Sequence, residues 1–267
     1  MPLQCGIVGL PNVGKSSIFN ALTRSSVPAD NYPFCTIDPH LGIVELPDVR
    51  LLELQKIYKP EKVIASTVEF IDIAGLVKGA SSGEGLGNQF LSQIRQTSAI
   101  IHVVRCFDDK NINHVDGMVD PIKDIGIIET ELLLSDIDTL EKRKTKLQKV
   151  IKSGKKDDLA ALDLVENLIQ HCSNGKNAKT YKATNYMSAF RKSLHLLTDK
   201  PMLYVGNIGE IDLIDIRKSK HAKTLLDCVE KNNNNVIFLC ASIEQEISLL
   251  NESEQKMFLS EYNLKEP

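Results

Sequence analysis

Eight consecutive residues, Gly9-Leu10-Pro11-Asn12-Val13-Gly14-Lys15-Ser16, fit the spacing G-x-x-x-x-G-K-S. That spacing suits phosphate chemistry. Glycines let the main chain wrap closely around an anion, so that successive N–H groups converge on it, and a helix starting just after adds partial positive charge. Lys15 would reach the β- and γ-phosphates of a nucleotide, the Ser16 hydroxyl would ligate Mg²⁺, and Ser17 would contact the α-phosphate. With Asn12, Val13 and Gly14 these residues form the candidate nucleotide cradle, and Lys15 is also a candidate catalytic residue. A chance glycine-rich turn is the bland alternative. The flanks argue against it: Leu3 to Gly9 reads as a buried strand, and Ser16 to Leu22 as a helix with Ile18, Phe19 and Leu22 facing inward.

A second group of residues extends the cradle. Asp72-Ile73-Ala74-Gly75 closes a strand expected over Ser66 to Ile73. Placed there, Asp72 would hold Mg²⁺ and the Gly75 N–H would contact the γ-phosphate. Alone, D-x-x-G is an ordinary turn, and its value lies in its distance from the P-loop. Thr36 falls between the two motifs, where a hydroxyl would complete the Mg²⁺ shell in a triphosphate state. The position after Gly75, where a switch GTPase carries a water-orienting Gln, is Leu76. Guanine is normally read by N-K-x-D, but here the corresponding residues are Asn207-Ile208-Gly209-Glu210. Without the Lys, and with an acid one methylene longer, guanine would pair poorly, whereas adenine has no 2-amino group to satisfy. Ser242, in Cys240-Ala241-Ser242, sits where the last base-contacting loop belongs.

Other elements must position these residues. Gly42 to Glu45, Ala99 to Cys106, Met202 to Gly206 and Val236 to Cys240 read as further strands, and four glycines between Val77 and Gly87 read as a mobile loop. From Ile125 to about Leu197 the periodicity is helical. Leu133, Ile137, Leu140, Leu147 and Ile151 form one stripe, and Leu159, Leu162, Val165, Leu168, Ile169 and Cys172 another, with a turn expected over Gly154 to Asp158. The expected architecture is therefore an α/β P-loop domain over 1–124 and 199–267, split by an antiparallel helical arm over 125–198.

Composition narrows the function classes. A net charge of -3 over 267 residues gives no global drive toward nucleic acid or anionic membrane. Cys5, Cys35, Cys106, Cys172, Cys228 and Cys240 contain no C-x-x-C pair, which argues against a zinc site and for a reduced compartment. Neither a signal peptide nor a membrane-length apolar run is visible, so a cytoplasmic monomer is expected.

The whole chain resembles the YchF-type Obg-like ATPases, a branch of the translation-factor-related GTPase class. The resemblance is carried by 5–16, by Asn31-Tyr32-Pro33-Phe34-Cys35-Thr36-Ile37 and by 72–80. It is also carried by 83–90, His114-Val115, Lys200-Pro201 and the N-x-x-E beginning at Asn207. It implies a Ras-like G domain with a coiled-coil insertion, ATP preferred over GTP, and binding to the ribosome. It also implies a catalytic role for His114, which would supply the water-orienting group that Leu76 lacks, although a solvated loop histidine is the plainer reading of that residue alone. Asn12 matches the pattern of related potassium-activated enzymes, so K⁺ is a second expected cofactor beside Mg²⁺. Members normally continue into a C-terminal TGS domain. The sequence stops at Pro267, about where that module would begin, so its absence is expected.

Lys142, Arg143, Lys144, Lys146, Lys149, Lys152, Lys155 and Lys156 crowd the first arm helix and its tip, with Glu141 the only acid among them. They are either a solvated face or, as ribosome binding would imply, a contact for rRNA phosphates. Two rivals to the ATPase reading stay open: a conventional GTPase with an unusual base site, and a non-hydrolysing nucleotide sensor.

Overall fold

The computed structural model describes residues 3–24, 41–73, 86–114, 117–150, 156–262 and 264. Thr36, Gly75, Leu76, the glycine-rich stretch 77–85, Ile151, Lys152 and Lys155 lie outside them. The chain divides into two compact units. The first is Met1–Gly75, Thr97–Ile122 and Met202–Pro267; the second is Leu76–Gln96 and Lys123–Pro201. The division differs from the expected single insertion, because the segment before Thr97 belongs with the helices.

Among the described residues, the first unit is built on six strands: β1 (Leu3–Val8), β2 (Leu41–Glu45), β3 (Thr67–Asp72), β4 (Ala99–Cys106), β5 (Met202–Ile208) and β6 (Asn235–Leu239). Their order is β2-β3-β1-β4-β5-β6. Only β2 runs antiparallel to its neighbour; β3, β1, β4, β5 and β6 pair in parallel. This is the sheet of a Ras-like P-loop G domain. Parallel pairing has a direct consequence for function: the carboxyl ends of five strands, and the loops leaving them, share one edge. The apolar runs expected for strands buried on both faces are present, with Ile7, Val8, Ile100, Val103 and Val205 at most 2% exposed.

Helix α1 (Lys15–Arg24) follows β1 and packs beside β2 and β3, while a helix over Val49–Tyr58 (α2) follows β2. Three more helices of this unit come late in the chain. The one over Lys220–Lys231 buries Ala222, Leu225 and Val229 beside β4, β5 and β6. Another, over Ala241–Ile247, packs on α1. The last, Glu252–Glu261, starts at a capping box in which Asn251 accepts from the Glu254 N–H and Glu254 accepts from the Asn251 N–H.

The second unit begins with α3 (Leu86–Gln96), so the expected loop over 77–87 overran a helix start by two residues. Its long elements are α4 (Pro121–Val150, counted in this unit from Lys123) and α5 (Lys156–Ser173). Lys156 already lies in α5, which shortens the turn expected there. Leu140 and Leu147 pack with Ala161, Leu164, Val165, Leu168 and Cys172. Of the stripe expected on α5, Val165, Leu168 and Cys172 are in this core and Leu162 and Ile169 pack against it, whereas Leu159 is 51% exposed.

The expectation of helix through Leu197 was wrong after Ser173. That stretch holds only single turns at Ala178–Thr180, Asn185–Met187 and Leu197–Asp199, and a short helix, α6 (Ser188–Lys192). Side chains organise it instead of periodicity. Arg191 grips Asp199 with a two-pronged ion pair at 2.7 and 3.0 Å and donates to the carbonyls of Ala178 and Tyr181. The fully buried Asp136 of α4 accepts from Leu197 N, Thr198 N and Thr198 Oγ1 at 2.7–2.8 Å. Burial pushes its carboxyl up, against the pull of those three donors.

The basic residues of α4 do not form one free face. Lys144 pairs with Glu166 of α5 at 3.1 Å, Arg143 lies over the Phe190 ring, and Lys142 pairs with Asp138 one turn back. Lys142, Lys146 and Lys149 are exposed. Among the described residues, no helix is long and apolar enough to cross a membrane.

Candidate nucleotide site

The P-loop leaves β1 through backbone that L side chains seldom adopt. Gly9 has φ 155°, and a Cβ there would stand 2.5 Å from the Val103 carbonyl oxygen of β4. Gly14 has φ 98°, and a Cβ there would stand 2.3 Å from Asn207 Nδ2. Both glycines of the motif are therefore required by close approach as well as by conformation. Asn12 takes the left-handed region at φ 62°, which Asn tolerates better than most residues. The first bond of α1 runs from Ile18 N to Gly14 O, so the helix starts directly on the motif.

Lys15 is 7% exposed, and its Nζ donates to Leu10 O at 2.8 Å across its own loop. Burial lowers its pKa to about 8, with Asp72 pulling the other way. Ser16 Oγ donates to Asp72 Oδ2 at 2.9 Å, so the two expected metal ligands that are described are brought together. Asp72 is placed by β3: it registers with Ile7 of β1, and Ile73 N donates to Ile7 O. Its second oxygen, Oδ1, is buried and has no hydrogen-bond partner among the described residues. The Ser16 hydroxyl and the Asp72 carboxylate, one of whose oxygens is buried and orphaned, make an all-oxygen donor set. That set fits a hard cation such as Mg²⁺, which is held by few protein ligands and completed by phosphates. Among the described residues there is no cluster of three His, Cys, Asp or Glu for a metal ion.

Asn207, at the end of β5, is 4% exposed and has both polar ends engaged. Its Nδ2 donates to Val13 O at 2.9 Å, and its Oδ1 accepts from Ala241 N at 2.9 Å. It thus binds the P-loop to the loop after β6. The neighbouring Ile208 has its side chain in the core, 1% exposed. Glu210 is exposed and opens a short turn over Glu210–Leu213. Its Oε1 accepts a 2.5 Å hydrogen bond from the Tyr262 hydroxyl. Ser242 is exposed in the first turn of the helix over Ala241–Ile247, not on the loop expected there, with its Oγ 3.1 Å from Cys240 Sγ. Ser17 is half-buried in the first turn of α1, and Val13 is buried.

His114 follows β4 on the same edge of the sheet and is half-buried. The P-loop reaches its neighbour directly, because Asn12 Nδ2 donates to Asn113 O at 3.2 Å. Sequence reading took β4 as simply apolar and so missed two of its residues. Arg105, 2% exposed, donates to the carbonyls of Phe107, Ile112 and Asp109 at 3.1–3.3 Å and lies over the Phe107 ring. It organises the loop that carries His114. His102 is 1% exposed, and burial, reinforced by the Lys15 charge, lowers its pKa to about 3, so it stays neutral. A polar, ionisable residue type interrupting an otherwise apolar strand is the available signal for both.

A family model described as 50S ribosome-binding GTPase matches residues 4–159, more than half of the chain. The ribosome-binding ATPase YchF of Bacillus subtilis is 48% identical over 266 residues, covering all of this chain and 73% of that protein. The protein of the same name from Escherichia coli O157:H7 is 45% identical over 267 residues, with the same coverage. The solved structure of the Schizosaccharomyces pombe YchF GTPase superposes with a TM-score of 0.82 at 36% identity, covering 99% of this chain and 72% of that one. Together with the P-loop, the Asp72 strand end and the N-x-x-E turn on one edge of a Ras-like sheet, these likenesses mean that the chain belongs to the YchF family of P-loop nucleoside triphosphatases.

Proposed function

We propose that the chain hydrolyses ATP, in preference to GTP and with Mg²⁺, as a cytoplasmic monomer that associates with the ribosome. The observation that carries the preference is the turn after β5. Asn207 is held at the P-loop as in a guanine-reading site, but the Lys and Asp that complete such a site are replaced by Ile208 and Glu210. A carboxylate displaced by one methylene, and held by Tyr262, meets the guanine N1–H and 2-amino group poorly. Adenine asks for neither contact.

In the reaction, the amides of the Gly9–Lys15 loop bind the phosphates, and Lys15 leaves Leu10 O for the β- and γ-phosphates. Ser16 and Asp72 would hold Mg²⁺, which when bound neutralises charge developing on the phosphoryl oxygens. Thr36 would join them in the triphosphate state, and the Gly75 N–H would contact the γ-phosphate. Ser17 contacts the α-phosphate, and Ser242 borders the base. His114 orients the attacking water in place of the absent Gln. Asn12, whose Nδ2 donates to Asn113 O, would help hold K⁺ near the phosphates through its side-chain oxygen. Association with the ribosome rests on the names of the relatives and on the exposed lysines of α4, of which Lys149 has no ion pair among the described residues. The same lysines suit rRNA phosphates.

Three outcomes are expected. In competition binding, ATP should bind about 5- to 150-fold tighter than GTP, the range for one mispaired buried polar group, and Glu210→Asp should narrow the gap. Equal affinities, or tighter GTP, would reject the preference. His114→Ala should keep ATP binding and lower the turnover number by about 10- to 10⁴-fold. Wild-type turnover in potassium buffer would remove His114 from the mechanism, and equal wild-type rates in Na⁺ and K⁺ would remove the monovalent cation. Lys149→Glu should weaken ribosome association and flatten its dependence on log salt by about one unit of slope or more. An unchanged slope would return Lys149 to a solvated face.

A further inference from the structure

A cavity of about 680 Å³ opens in the second unit, walled by α3, α4 and the segment after α6. All of its lining residues belong to that unit, whereas the P-loop belongs to the first. Its volume falls within the usual range for small-molecule sites. Four cations face it, Arg95, Lys142, Arg143 and Lys146, against one acid, Asp138. Lys142 takes that acid, with Nζ 2.5 Å from Asp138 Oδ2. No ion pair joins the charged heads of Arg95, Arg143 or Lys146 to a carboxylate among the described residues, although Arg95 lies close enough to the buried Asp136 for their charges to interact.

Those heads are held in place. Arg95 donates from one terminal nitrogen to Ser135 O and Oγ, at 3.3 and 2.8 Å, which fixes its fork and leaves its other donors unused among the described residues. Arg143 lies over the Phe190 ring, and its buried Nε has no hydrogen-bond partner among the described residues. Lys146 is exposed, one helical turn beyond Lys142 on the same face of α4. Like charges gathered around one concavity repel, and a buried guanidinium nitrogen without an acceptor is costly. A polyanion with about three negative charges removes both penalties, and charge-assisted bonds from Arg to phosphate are the strong kind.

We propose that this cavity binds a small polyphosphorylated ligand, at a site separate from the P-loop. The geometry favours a compact ligand over a nucleic-acid backbone. The cations converge on a hollow instead of tracking along the helix. Lys144 is turned to Glu166, and Lys149 is not part of the wall.

Inorganic tripolyphosphate is the probe. It is titrated calorimetrically into the full chain with the P-loop saturated by a non-hydrolysable ATP analogue and Mg²⁺ in excess over all phosphates. One additional site per chain is expected. Lys146→Glu should weaken it by about 10-fold or more, as should Ser92→Asp, which puts a charge into the opposite wall. Lys149→Glu should leave it unchanged. Lys146 makes no ion pair among the described residues and is exposed, so its replacement does not threaten the fold, and circular dichroism checks this for both variants. No binding beyond the saturated P-loop, or equal affinity in Lys146→Glu and the parent, would overturn the proposal. Binding of an oligoribonucleotide without any binding of tripolyphosphate would overturn it as well, and would make the cavity a nucleic-acid contact.

Discussion

Two hydrogen bonds from one buried amide hold the nucleotide site together. Asn207 donates to Val13 O in the P-loop and accepts from Ala241 N at the start of the helix after β6. The bonded residues are 194 and 34 positions away, so the clasp closes only when the sheet is complete. Its presence explains other choices of residue. Gly14 has to be glycine because a side chain would strike Asn207. With Gly14 fixed, α1 starts on Lys15, and Ser16 is delivered to Asp72. The helix bonded at Ala241 packs on α1, so the clasp joins the two helices that flank the candidate nucleotide pocket.

The rest of the site follows from strand direction. Because β1, β3, β4, β5 and β6 are parallel neighbours, the P-loop, Asp72, the His114 loop, the Asn207 turn and the Ala241 loop all emerge on one edge. Direction alone places loops near each other without fixing their shape. Shape is set by polar side chains that satisfy main-chain groups: Arg105 on three carbonyls after β4, Asn12 on Asn113 O, and Lys15 on Leu10 O. Lys15 shows how such a contact serves function. The carbonyl that steadies the ammonium in the present state is a weak neutral acceptor, and a phosphate is a stronger one, so the side chain is held near its target without being trapped.

The parts legible in the sequence were those whose constraint is local. The P-loop was readable because its spacing is stereochemical, and β4 was found to the residue because a parallel interior strand leaves an apolar run. The arm helices are visible as stripes, and on α5 only Leu159 departs from its stripe, since it fits the period yet lies in solvent. What escaped depends on distance. The turns between 174 and 199 have no period because Asp136 and Arg191 shape them. Helix α2 buries none of its residues and so carries no apolar stripe. The helix over Lys220–Lys231 is legible in the spacing of Ala222, Leu225 and Val229, which it buries. The roles of Arg105 and Asn207 lie in which carbonyls they reach, and no spacing rule contains that.

Binding of ATP and GTP to Asn207→Ala tests the clasp most directly, with circular dichroism to confirm that the variant is folded. Removing the amide leaves Val13 O and Ala241 N buried without their partner, at a cost of about 1–3 kcal/mol each. The P-loop reads phosphates and not bases, so affinity should fall by about 10-fold or more for both nucleotides alike. A folded variant that binds both with the parent's affinity, or that loses only one of them, would contradict the account.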